Sequence, residues 1–249
     1  MSTFTTAALS ITGRRSANQD AYVSDAPLGL FAVADGMGGY EGGELASQLA
    51  LEALSAFLRD IEVDPDRTCP TGWDVALSLT ENLLAQGIIE AHEAVVRERH
   101  GLYEKMGTTV VAFLRTAEGL AVGHVGDSRA YRLRGGILSA LTRDHSMVEQ
   151  LRDLGMVGPE EDGPPGMSHI VTAALGIGGF QRPTLALDKP RAGDRYLLCS
   201  DGLCGVLSDA EIADHLSTPS LTGAAETLVQ AALEAGSRDN ITVVVVAVT

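Results

Sequence analysis

Residues 28–44 read LGLFAVADGMGGYEGGE. Residues 28–34 form an apolar run of strand length that ends on a carboxylate, Asp35, with glycines at 36, 38, 39, 42 and 43 close behind. A short apolar run bounded by turn residues reads as a buried strand. A charge at the tip of such a strand is costly unless a cation or hydrogen-bond donors meet it. The glycines leave the backbone open to close approach. Oxygen ligands of this kind suit a hard divalent ion, Mg²⁺ or Mn²⁺.

Working outward, residues 4–12 (FTTAALSIT) read as a strand, 13–20 as a polar turn and 21–24 as a second strand. Downstream, residues 41–61 carry a helical pattern: Leu45, Leu49, Ala53 and Phe57 make one row, and Ala46, Ala50, Leu54 and Leu58 the next. A Pro-containing loop at 63–71 leads to a second helix over about 73–100. Two helices in succession after three strands argue against βαβ alternation and for helices packed on antiparallel sheet. Strands follow at 108–115, 120–127, 130–134 and 137–141, and the short turns between them predict a meander of hairpins. Residues 142–182 hold a short amphipathic helix, 146–154, and a turn-rich loop, 158–166. So long an excursion predicts a functional flap. Strands resume at 184–187 and 195–200, helices at 208–216 and 221–235, and a β-branched strand closes at 241–248. No repeat or composition break appears, so one domain over 1–249 is the economical reading.

Lys and Arg number 18 against 33 Asp and Glu, a formal charge of −15. That sign argues against nucleic acid as a partner. The three cysteines, Cys69, Cys199 and Cys204, make neither a disulfide framework nor a zinc-type pair. The start of the chain does not read as a signal peptide, and no apolar run approaches the ~18 residues that span a bilayer. The expectation is a cytoplasmic protein without a membrane partner.

Four further carboxylates share the placement of Asp35. Asp127 ends AVGHVGD, Asp201 ends RYLLCSD, Asp239 precedes the last strand in GSRDNITVVV, and Asp20 precedes the second strand in ANQDAYV. Alternation puts Phe31, Val33 and Asp35 on one face, and likewise Leu197, Cys199 and Asp201. Each carboxylate would then continue the interior row of its strand. If the strand ends converge, bare carboxylates would repel one another and raise each other's pKa, and two or three divalent cations would relieve that. Two metals can clamp a phosphate and lower the pKa of a bridging water. Arg15 offers a guanidinium for the remaining phosphate oxygens. Periodicity alone leaves the plainer reading open: each Asp a turn former, Arg15 a solvated charge, His124 and His145 structural. A dinucleotide loop at 34–43 fits poorly, because its glycines miss GxGxxG and Asp35 would repel a pyrophosphate.

Taken in order, RSANQD (15–20), ADGMGG (34–39), MGTTVV (106–111), GDSRAY (126–131), LTRDHS (141–146), LLCSDGL (197–203) and SRDNITVVV (237–245) resemble the metal-dependent Ser/Thr protein phosphatases of the PP2C (PPM) family, bacterial branch. The resemblance implies an α+β fold, an α-β-β-α sandwich of two antiparallel sheets flanked by helices, with the metal site at one end between the sheets. It implies hydrolysis of phosphoserine and phosphothreonine by a water activated between two core Mn²⁺ or Mg²⁺ ions, with a third, weaker ion beside them. By the same resemblance Asp35 and the Gly36 carbonyl bind metal, Asp201 and Asp239 complete the pair, Asp20 joins directly or through water, and Asp127 with Asp201 holds the third ion. Arg15 binds the substrate phosphate, and residues 146–178 form the flap. The implied partners are phosphorylated proteins, a Ser/Thr kinase or its substrates, met by a monomer. Three positions depart from the family pattern: Gln19 for Glu, Met37 for His, and Ala173 for Arg. The first and last motivate a competing reading, a catalytically weak module that binds phosphoproteins in a regulatory role.

Overall fold

The computed structural model describes residues 3–39, 42–63, 73–158, 161, 163, 164, 167, 170–177 and 182–249. The predicted loop after residue 63, with Cys69, and much of the predicted 158–166 loop and flap lie outside these residues. The strands are β1 Phe4–Ile11, β2 Asp20–Asp25, β3 Leu30–Met37, β4 Gly107–Thr108, β5 Val110–Arg115, β6 Leu120–Val125, β7 Arg129–Arg134, β8 Ile137–Ala140, β9 Thr184–Asp188, β10 Arg195–Cys199 and β11 Ile241–Val248. The helices are α1 Gly42–Val63, α2 Leu79–Glu98, α3 Met147–Asp153, α4 Asp201–Cys204, α5 Asp209–Leu216 and α6 Leu221–Glu234. Among the described residues no helix is long and apolar enough to cross a membrane.

Two antiparallel sheets stack face to face. One runs β1-β11-β10-β7-β8; the other runs β2-β3-β5-β6-β9, with β4 extending the pairing beside β3. Alternation along each inner strand feeds two cores at once. Phe31, Val33, Val111, Phe113, Tyr196, Leu198, Val244 and Val246 fill the space between the sheets. The opposite face of the second sheet (Leu30, Ala32, Val110, Ala112) meets Ala50, Leu54, Leu84 and Ile88 of α1 and α2. The opposite face of the first (Leu197, Cys199, Val243, Val245) meets Ile212, Leu216, Leu228 and Ala232 of α5 and α6. The result is the expected α-β-β-α sandwich. Phe113 is fully buried and packs edge-on against Tyr196, ring centroids 5.6 Å apart. Phe113→Ala is therefore expected to cost about 3–5 kcal/mol, read by chemical denaturation.

Three expectations are corrected. The second helix begins at Leu79, not 73, because Ser78 and Glu81 close a capping box there. The predicted meander is two hairpins in different sheets: β5 pairs β6 and β7 pairs β8, but β6 and β7 are not neighbours. Residues 126–128 carry the chain from one sheet to the other. The inner row of β10 is Tyr196 and Leu198, whereas Leu197 and Cys199 face the helices. Asp201 therefore does not continue an interior strand row. The strand ends at Cys199, and Asp201 opens α4.

Candidate metal centre

Antiparallel pairing brings the five carboxylates to one rim. Asp20 opens β2 directly opposite Asp35 near the end of β3. β6 runs parallel to β3, each being antiparallel to β5, so Asp127 follows it at the same end. In the other sheet β10 ends where β11 begins, with Cys199 opposite Val243, which sets Asp201 beside Asp239.

Hydroxyl and amide side chains fasten the rim. The Asp35 N–H donates to Thr109 Oγ1 at 3.1 Å, the Thr109 N–H donates to the Asp35 carbonyl at 2.9 Å, and Thr109 Oγ1 lies 2.8 Å from Ser128 Oγ across the sheet change. A side-chain oxygen thus takes a bond that a backbone carbonyl would accept in a regular ladder. Ser200 Oγ donates to Asp20 Oδ2 at 2.8 Å and accepts from the Thr242 N–H at 3.0 Å, tying one sheet to the other. The Asn240 side chain holds the 12–19 turn through the Thr12 and Ala17 carbonyls and the Gln19 N–H. The quoted motifs contain these groups, but nothing in their spacing assigns them as fasteners, because each acts on a residue distant in sequence.

Gly36 is buried, and a β-carbon there would lie 2.0 Å from the Gly43 carbonyl oxygen and 2.6 Å from that of Gln19. Gly36→Ala is expected to destabilise the protein by about 1–3 kcal/mol, since only backbone stands in the way, and thermal unfolding would register it. Gly126 sits at φ +109° between β6 and Asp127. His145 clamps it twice: the His145 N–H donates to the Gly126 carbonyl at 2.9 Å, and the Gly126 N–H donates to His145 Nδ1 at 3.2 Å. That acceptor role leaves the proton on Nε2, 2.9 Å from Thr184 Oγ1. Burial, with His124 stacked 4.5 Å away, lowers the His145 pKa to about 4.

The rim is electrostatically frustrated. Burial, then Asp20, Asp201, Asp127 and Asp239, push the Asp35 carboxyl well above the usual range. Burial and Asp201 push Asp127 up to about 7. Asp20 rises to about 6, burial outweighing its hydroxyl donors, and its Oδ1 is buried without a hydrogen-bond partner. An orphaned carboxylate oxygen among mutually repelling carboxylates is a donor set that fits a hard divalent cation. Among the described residues no three carboxylate, imidazole or thiol groups close on one ready coordination point.

Arg15, on the rim beside them, binds Asp239 bidentately, Nε to Oδ1 at 2.9 Å and Nη2 to Oδ2 at 2.5 Å. Both side chains are exposed, 58% and 36%, so the pair contributes little stability. The 146–178 segment is stitched to the rim at its far end: Thr108 and Leu175 exchange both backbone bonds, at 2.8 and 3.1 Å. Ala173 packs against the α1–α2 core. A cleft of about 450 Å³ opens between this segment and β6, lined by Arg143, His145, Ser146, Glu149, Thr172 and Thr184. Cys199 and Cys204 are buried free thiols, clear of the rim's chemistry.

Fold and rim together define an α-β-β-α sandwich protein with an acidic, oxygen-rich edge. The chain belongs to the protein phosphatase 2C family, whose model matches residues 10–236. It is 39% identical over 231 residues to the serine/threonine protein phosphatase PstP of Mycobacterium tuberculosis, covering 93% of this chain and 42% of PstP. The chain thus spans less than half the length of that relative. It is 32% identical over 237 residues to the protein phosphatase PhpP of Streptococcus pneumoniae, covering 94% of this chain and 92% of PhpP. A crystal structure of the catalytic domain of PstP in complex with two manganese ions superposes with a TM-score of 0.84 at 37% identity, each chain covered in full.

Proposed function

We propose that the protein is a Mn²⁺/Mg²⁺-dependent phosphatase of phosphoserine and phosphothreonine in proteins, working in the cytoplasm as a monomer, with residues 1–249 forming one phosphatase domain. The observation that carries this reading is the convergence of Asp20, Asp35, Asp127, Asp201 and Asp239 on one rim, with a buried Asp20 oxygen left unpartnered. Asp35, the Gly36 carbonyl, Asp201 and Asp239 would hold two core ions, Asp20 would assist, and Asp127 with Asp201 would hold a third. Bound there, the ions supply neutralising charge for a phosphate dianion and a water acidic enough to attack phosphorus.

The chain's own residues do the remaining work. Asp35 is held at its backbone by Thr108 and Thr109, so its carboxylate is preorganised at the rim. Arg15 neutralises Asp239 in this structure. With Asp239 committed to a cation, the Arg15 guanidinium would be free to grip a phosphate bidentately. No cysteine nucleophile is required. The cleft beside His145, whose ring is bonded to Gly126 next to Asp127, offers about 450 Å³ for the residues flanking a phosphorylated side chain. A phosphorylated Ser/Thr kinase or its targets fit that chemistry.

The test is hydrolysis of a phosphothreonine peptide with Mn²⁺ and Mg²⁺ titrated against an EDTA control. Wild type should turn over only with metal, and Asp201→Asn should lower turnover at saturating Mn²⁺ by about 10²–10³-fold, the scale for one preorganised electrostatic group. Metal-independent hydrolysis, or an unimpaired Asp201→Asn, would refute the proposal.

A further inference from the structure

We infer that the pole of the sandwich opposite the carboxylate rim carries a second binding site, built by Arg115 and Lys189, for a small phosphate ester. The ends of β5 and β9 and the start of β1 meet there around a cavity of about 550 Å³ lined by Phe4, Arg115, Thr116, Glu118, Lys189 and Pro190 among others. Leu30, which opens β3, pairs with Leu114 beside Arg115, so Asp35 and its neighbours lie at the far end of the strands.

Two cations, Arg115 and Lys189, line this cavity against one carboxylate, Glu118, in a molecule that carries −15 overall. Most partly buried guanidinium groups of the chain are matched to carboxylates: Arg129 to Asp144, Arg132 to Asp188, Arg134 to Asp194 and Arg152 to Glu149. Arg99 and Arg195 instead donate to backbone carbonyls, and Arg115 does neither. It has no carboxylate partner among the described residues, its Nε is buried without a hydrogen-bond acceptor, and its guanidinium lies 5.2 Å over the Phe4 ring. Leaving a buried charged donor unpaired is costlier than leaving a neutral one.

Lys189 lines the same cavity and also has no carboxylate partner among the described residues. The carboxylates nearby are engaged elsewhere. Glu118 Oε2 accepts from the Thr80 N–H and hydroxyl at the start of α2. Asp188 accepts from Arg132 through one oxygen and from the Tyr196 hydroxyl through the other. Two cations therefore face one cavity against a single carboxylate that is anchored at the start of α2, and Phe4 and Pro190 add apolar lining. A phosphate can take two parallel bonds from the guanidinium and one from the ammonium, while an apolar ester group rests against the apolar lining at Pro190.

The experiment is a ¹⁵N-resolved NMR titration of the metal-free protein in EDTA, using inorganic phosphate and adenosine 5′-monophosphate as probes. Saturable shifts are expected at the amides of Arg115, Thr116, Gly119 and Lys189, and affinity should fall about tenfold in Lys189→Gln, a surface change that leaves the core intact. Tighter binding of the nucleotide supports an ester whose body rests on the apolar lining, and equal binding supports recognition of the phosphate alone. Arg115→Met, which keeps the stem over Phe4, should lose the bidentate contact and weaken both probes. Shifts confined to Arg15 and the carboxylate rim would overturn the inference. So would a failure to saturate at about 10 mM, or unchanged affinity in both variants.

Discussion

Asp35→Asn is expected to lower metal-dependent turnover of a phosphothreonine peptide by about 10²–10³-fold or more, while making the metal-free protein more stable. Both effects come from one property of the site. Four other carboxylates hold the Asp35 carboxyl well above the usual range once burial has removed its water. In the absence of cations, ionising Asp35 therefore works against folding, and the amide, nearly the same in shape, removes that charge. With cations present, the same charge would hold them. Turnover and stability should thus move in opposite directions, measured as initial rate at saturating Mn²⁺ and as Tm in EDTA. A variant that lost both together would point to a misfolded rim. One that kept full turnover would remove Asp35 from the mechanism.

The second large effect is a pH dependence that metal abolishes. A group whose pKa is higher in the folded than in the unfolded chain contributes stability that is present below its unfolded pKa and lost as pH rises through its folded pKa. Asp127, raised to about 7, and Asp20, raised to about 6, both have this sign. Between pH 6 and 8 they should together remove about 2 kcal/mol, at 1.36 kcal/mol per pKa unit. That corresponds to a fall of about 4–8 °C in Tm for a chain of this size. His145 works in the opposite sense: lowered to about 4, it withdraws stability only as pH falls from its ordinary value of 6.5. The slope above pH 6.5 therefore belongs to the carboxylates. Saturating Mn²⁺ should raise Tm and flatten that slope, and a slope unchanged by metal would mean that these carboxylates do not share a cation.

Much of this was legible beforehand because the residues concerned report on themselves. The run ITVVVVAV is all but unbroken in β-branched and apolar residues, and it forms β11, covered on both faces. The rows read in the first long helix are those that α1 buries or half-buries. The carboxylates sit at strand ends, where the apolar runs stop. Less legible was whatever depends on a partner far along the chain. The apolar pattern places the start of α2 six residues early because Trp73 and Val75 extend it, while the Ser78–Glu81 capping box stops the helix short of them. Alternation misplaces the row of Asp201 because it tells two faces apart but not which of them meets another sheet and which meets helices.

The amino-acid sequence by itself determined where strands and helices fall, that five carboxylates stand at strand boundaries, and which ordered motifs the chain shares with its family. These are local properties, set by side-chain periodicity and turn chemistry within a few residues. Only the tertiary structure decided that β6 and β7 belong to different sheets, that Thr109, Ser128 and Ser200 fasten the rim, that Arg15 rests on Asp239, and that Arg115 and Lys189 share a cavity at the other pole. Each joins residues from separate strands or turns, and antiparallel order brings such ends together only once the whole sandwich has closed.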